Sequence, residues 1–153
     1  MRELHISGPD VIATRRSFVL GIPALSLLGL HRHLGADAGA EADAVKAAEA
    51  WLALVDAGKH GESWEQAARL FKTALTTSQW ETALGAVRVP LGQCLSRKLE
   101  SKERVTSLPG GPDGEYVVIR YKTTFEKKKE AVETITPMRD PDGRWRACGY
   151  YIK

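Results

Sequence analysis

The sequence predicts an α+β domain, with N-terminal helices packed on one concave face of a curved, antiparallel, four-stranded meander sheet. Three observations predict it. Apolar residues recur at steps of three and four between Ala42 and Val87, where no proline occurs. Beyond Pro90 the apolar period becomes two, as in strands buried on one face. Short runs rich in Pro, Gly and Asp separate the strand-like segments, so consecutive strands pair with each other and the helices gather on one side.

At 153 residues the chain holds one such domain. Its 43% hydrophobic and 27% charged content excludes disordered, collagen-like and membrane-bundle classes. The formal charge is +3, and residues 41–153 alone hold 18 basic and 16 acidic side chains. That near-balance, without a basic stripe in an aromatic or motif context, argues against nucleic acid as a partner. The run Lys127, Lys128, Lys129 falls between two strand-like segments and reads as a solvated hairpin tip.

The N-terminus comes first in order. Thr14, Arg15, Arg16, Ser17 and Phe18 open an apolar run over residues 18–30, interrupted by Gly21, Pro23 and Gly29. This resembles a twin-arginine export signal. The thirteen-residue run makes about 20 Å of helix, short of the roughly 30 Å of a bilayer core, so it is a signal core and not a span. His31, Arg32 and His33 follow it, and then small residues crowd around three A-x-A sites: Ala36 to Ala38, Ala38 to Ala40 and Ala42 to Ala44. Cleavage is expected after Ala40, with the neighbouring sites as alternatives. No cysteine precedes Cys94, which excludes a lipid anchor at the junction. Residues 1–40 thus read as the signal and residues 41–153 as the domain, periplasmic or secreted, with no stable membrane span in the mature form.

In the helical half, Ala44, Ala47, Ala48, Trp51, Leu52 and Val55 form one apolar stripe, and Gly58 supplies a stop. Ser63 with Gln66, and Ser78 with Glu81, have the spacing of capping boxes. They precede Trp64, Ala67, Ala68, Phe71 and then Trp80, Ala83, Leu84, Val87. Three helices, or two with the second bent near Thr76 and Thr77, account for this half. Pro90, Leu91 and Gly92 end it.

Four strands follow, over residues 95–106, 115–125, 130–138 and 144–152. In the second, Val117, Ile119, Tyr121 and Phe125 share a face opposite Arg120, Lys122 and Thr124. In the last the phase changes between Trp145 and Ala147 on one side and Tyr150 and Ile152 on the other, which predicts a bulge at Gly149. The outer face bearing Tyr116 and Val118 is a candidate surface for a homodimer.

Chemical signatures are sparse. His60 remains alone after the signal and reads as a loop residue, so no metal site is expected, and no cofactor either. A meander puts Cys94 and Cys148 on opposite edges, roughly 14 Å apart. A disulfide needs Cα atoms within about 7 Å, so two small buried thiols are the expectation. Trp51, Trp64, Trp80 and Trp145 are each in phase with an apolar stripe and read as core. Arg97 shares strand parity with Leu95, Leu99 and Val105 and so faces the concave side, where a guanidinium needs a partner. Glu133, Glu103, Tyr121 and Tyr150 are the available acceptors. Either Arg97 closes a salt bridge, or Arg97, Tyr121, Glu133 and Tyr150 line a pocket for an anionic small molecule.

Several segments carry a family resemblance: Ala48-Glu49-Ala50-Trp51-Leu52, Ser63-Trp64, Gln79-Trp80, Val87-Arg88-Val89-Pro90-Leu91-Gly92, Ser96-Arg97-Lys98, Pro112-Asp113-Gly114-Glu115-Tyr116-Val117-Val118, Val132-Glu133-Thr134 and Gly149-Tyr150-Tyr151-Ile152-Lys153. Over residues 45–153 the chain resembles the bacterial domain-of-unknown-function family DUF4019. The resemblance implies a cystatin-like or nuclear-transport-factor-like cone and brings no activity with it. Two functional classes follow. One is a non-enzymatic periplasmic domain that binds a small ligand or a partner protein. The other is an isomerase- or dehydratase-like enzyme with Glu133 and Tyr121 or Tyr150 in a pocket between helices and sheet.

Overall fold

The alanine and tryptophan stripe forms α1 (His33–Asp56), in which Ala44, Ala48, Trp51, Leu52 and Val55 are buried. The computed structural model describes residues 33–153, so Arg15, Arg16 and the apolar run at 18–30 lie outside the described residues. α1 passes without a break through Ala40, and within it Asp37 pairs with Arg104 and Glu41 with Lys102 at 3.1 Å. Its end is closed by two bonds of a Schellman type, from Lys59 N–H to Leu54 O (2.9 Å) and from Gly58 N–H to Val55 O (3.1 Å). Gly58 holds φ at 72° with open space where a Cβ would stand. Gly58→Ala is therefore expected to cost about 1–2 kcal/mol through backbone conformation alone, read as a lower urea midpoint with an unchanged slope.

The remaining helical residues make three helices and not the one or two expected after α1: α2 (His60–Glu65), α3 (Arg69–Ala74) and α4 (Thr77–Leu91). The break between α2 and α3 has a tertiary cause, because Ala68 leaves helical geometry to donate its N–H to Ala147 O at 2.8 Å on the sheet's edge. His60 opens α2 and is not a loop residue. The capping boxes also differ from expectation. Thr76 and Gln79 form the box at the start of α4, each side chain bonding the other's backbone N–H. Ser63 instead sits inside α2, fully buried, where its hydroxyl donates to His60 O and accepts from Trp80 Nε1 while its carbonyl accepts from Trp51 Nε1. Pro90 lies in the last turn of α4, and Gly92, at φ 74°, ends it.

The sheet is the expected meander, β1 (Cys94–Val105), β2 (Tyr116–Phe125), β3 (Lys128–Arg139) and β4 (Trp145–Ile152), in the order β1-β2-β3-β4 and antiparallel throughout. Between β3 and β4 the register steps from Thr136 opposite Gly149 to Pro137 opposite Ala147, which makes Cys148 the extra residue of a bulge beside Gly149. That bulge puts Ala147, Tyr150 and Ile152 on the inner face together. They pack with Val117, Ile119, Phe125 and Ile135 against Trp51, Leu52, Phe71, Trp80 and Leu84. Tyr116 is not available for a dimer surface: it is completely buried, under its own connecting loop, with its hydroxyl donating to Pro112 O at 2.6 Å. Cys94 and Cys148 stand on opposite edge strands as half-buried free thiols. Trp51 and Trp80 are core, with Trp64 and Trp145 packed at its margin. Among the described residues no helix is long and apolar enough to cross a membrane.

Candidate functional site

Beneath the helices, six elements each deliver one polar side chain to a single point. These are Asp56 at the end of α1, Arg88 in α4, Arg97 in β1, Thr123 in β2, Glu133 in β3 and Tyr150 in β4. Glu133 is fully buried and its two carboxylate oxygens accept five hydrogen bonds. Oε2 takes Arg97 Nε and the Thr123 hydroxyl, both at 2.6 Å. Oε1 takes the Tyr150 hydroxyl at 2.5 Å, Arg97 Nη2 at 3.2 Å and Arg88 Nη1 at 3.3 Å. Asp56 closes the far side, accepting from Arg97 Nη1 and Arg88 Nη2, each at 2.7 Å. Arg88 also lies over the Phe125 ring, 4.6 Å from its centroid.

Two guanidinium groups and two carboxylates make the cluster neutral, and every carboxylate oxygen in it is donated to. Burial of charge is tolerable only when paired and hydrogen-bonded in this way. Burial by itself would raise the Asp56 carboxyl, but the hydrogen bonds and charge of Arg97, then the charge of Arg88, outweigh it and hold the group below its ordinary 3.8. The sign follows from that depression. Asp56 contributes stability that is complete above about pH 4 and is lost as pH falls through the lower folded value. Thermal melts between about pH 5 and pH 3 should therefore show a fall in Tm that is shallower in Asp56→Asn. Tyr150 is pushed well above its ordinary value by burial first and then by the Glu133 charge, so it stays protonated and donates.

Of the four residues read from sequence, Arg97, Glu133 and Tyr150 converge, and Tyr121 does not. Tyr121 pairs in register with Glu133, yet its buried hydroxyl has no hydrogen-bond partner among the described residues, and burial together with the Glu49 charge pushes it up to about 12. Glu103 is exposed on the outer side and takes no part. Asp56, Arg88 and Thr123 were missed. Each carries the same signal, a polar residue in the phase of a buried stripe. Arg88 follows Trp80 and Leu84 at four-residue steps, Asp56 lies four beyond Leu52, and Thr123 falls between Tyr121 and Phe125 on the inner parity.

Between α4 and β4 the packing is close. A gap of about 10 Å³ beside Trp80, Leu84 and Tyr150 is barely one water in size. Larger grooves open elsewhere. One of about 410 Å³ runs between α1, α2 and the start of β4, past Trp51, Arg144 and Trp145. Another, of about 380 Å³, lies at the β4 bulge beside Phe71, Leu108 and Cys148, whose thiol burial pushes up to about 12, so it is no nucleophile at neutral pH. A third, of about 640 Å³, crosses the outer sheet face. Glu133, Arg97 and Tyr121 line none of the three, whereas Tyr150 borders the groove at the β4 bulge and Thr123 borders the outer one. Among the described residues no group of three or more His, Cys, Asp or Glu side chains is placed to hold a metal ion.

Fold and cluster together define a small α+β domain with helices laid over an open meander sheet and locked to it by a buried ion network. The chain belongs to the family described as protein of unknown function (DUF4019), whose profile matches residues 47–150. No curated protein and no solved structure matches it.

Proposed function

We propose that the protein is an exported, non-enzymatic binding domain that takes a small ligand or partner at its surface, while the ion network inside serves stability. The saturation of Glu133 carries this reading. A general base needs a free lone pair within reach of a substrate proton, and both oxygens of the fully buried Glu133 are occupied. An isomerase or dehydratase would need room beside Glu133 of at least about 300 Å³, and Glu133 lines none of the three grooves of that size. Arg97 likewise spends its fork on Asp56 and Glu133 and is not free to clamp a ligand anion. Export is supported by Arg15, Arg16 and the apolar run behind them. Cleavage after Ala40 would start the mature chain at Glu41 and keep the Glu41 to Lys102 pair.

Native mass spectrometry with N-terminal sequencing, on protein taken from the periplasm, tests both parts. The expected product begins at Glu41 and carries a noncovalent mass. A chain that begins at Met1 would overturn export, and a bare chain with no bound mass or partner would overturn binding.

A further inference from the structure

The outer face of the sheet collects cations that the inner network does not use. The strand register sets Lys98 beside Lys122 and Lys122 beside Val132. Val132 in turn exchanges both backbone hydrogen bonds with Lys153, at 2.9 and 3.0 Å. Lys98, Lys122, Val132 and Lys153 thus form one row across four strands, roughly 14 Å from end to end. Lys129 lines the same 640 Å³ groove, with Ser96 supplying a hydroxyl, the Thr124 hydroxyl donating to Lys129 O at 3.0 Å, and Glu130 a single opposing charge.

Like charges directly opposite each other destabilise a sheet. Lys122 is relieved by Glu100 at 3.2 Å. Lys98 and Lys129 have no carboxylate partner among the described residues. In the next row Arg120 is exposed, and its register neighbour Thr134 is buried with a hydroxyl that has no partner among the described residues. A second copy docked here would set these cations against each other, so the face suits an anion and not a homodimer.

The number and spacing of the charges narrow the anion. Lysines act as point charges that take phosphate oxygens from any direction, without the planar bidentate geometry that an arginine fork gives to carboxylate and phosphate alike. A phosphate carries about −1.5 to −2 charges at neutral pH, and a row of this length offers room for more than one. We propose that the outer groove binds a small molecule carrying two or more linked phosphates. This rests on the reading of the domain as a binder and names the place and the ligand class.

The test is calorimetric titration of the full chain with sodium tripolyphosphate at low and at physiological salt. Trisodium citrate and a short single-stranded oligonucleotide serve as competitors. Saturable binding at one site per chain is expected, weakened about fivefold by Lys98→Gln and again by Lys153→Gln, and unchanged by Lys46→Gln, an exposed lysine on α1. Lys98→Gln should melt no lower than the parent, because it removes a cross-strand repulsion. Absence of binding, equal weakening by Lys46→Gln, or equal affinity for citrate or the oligonucleotide would each overturn the proposal. A different copurifying mass in the native spectrum, without tripolyphosphate binding, would remove this site and leave the binder reading standing.

Discussion

Glu133→Ala is expected to lower stability by about 3–5 kcal/mol, the range for removing one partner of a buried ion pair. The variant leaves Asp56 as the one carboxylate of the cluster facing Arg88 and Arg97, with the Thr123 and Tyr150 hydroxyls stripped of their acceptor. Most of the loss comes from the uncompensated guanidinium charge and not from missing contacts. Glu133→Gln keeps the shape and one acceptor oxygen, and it should fall between the parent and the alanine variant. The informative companion is a cycle of Arg97→Met with Glu133→Met. Because a buried pair is often no better than apolar residues of like volume, the double variant should recover a large part of what either single change loses. Urea midpoints measure all four species. A loss under about 1 kcal/mol for Glu133→Ala would mean that the network does not lock the helices to the sheet.

Trp80→Ala should cost a similar amount, about 3–5 kcal/mol, by opening a cavity at the centre of the core. Trp80 is 1% exposed. Its ring meets Phe71 edge-on at 4.9 Å, Trp51 at 5.7 Å and Tyr150 at 6.4 Å, and its Nε1 donates to Ser63 Oγ at 2.9 Å. One side chain therefore joins α4 to α1, α2, α3 and β4. Trp80→Phe keeps much of the apolar volume and loses the indole donor, so a smaller cost of about 1–3 kcal/mol is expected. Trp64 offers the comparison. It is half-buried at the core's margin, with its indole on Leu75 O, and Trp64→Ala should cost less. A greater loss at Trp64 than at Trp80 in matched denaturation curves would misplace the centre of the core.

The strands were legible to within about two residues at each end, because a sheet buried on one face imposes a period of two on its own sequence. The phase change before Gly149 signalled the bulge, although the extra residue is Cys148. The helices were harder. Ser63 and Gln66 satisfy a capping spacing, but spacing does not say where a helix begins, and the buried Trp51 and Trp80 donors claim Ser63 first. The split between α2 and α3 depends on a bond from Ala68 to Ala147, and nothing local announces it.

The site divides in the same way. Arg97 and Glu133 could be named because each is a charge at an inward position of a strand, and that position is local information. Asp56 and Arg88 bear the same mark on their helices, but their partners lie 32 to 45 residues away in the chain. By itself the sequence determined the order of elements, the faces they bury and the presence of a charge on the inner side. Which charges meet, and that they meet in a neutral cluster around a fully buried Glu133, was decided only by tertiary packing. Local periodicity sets the direction of a side chain, whereas the pairing of buried charges depends on distances that exist only once helices and sheet have come together.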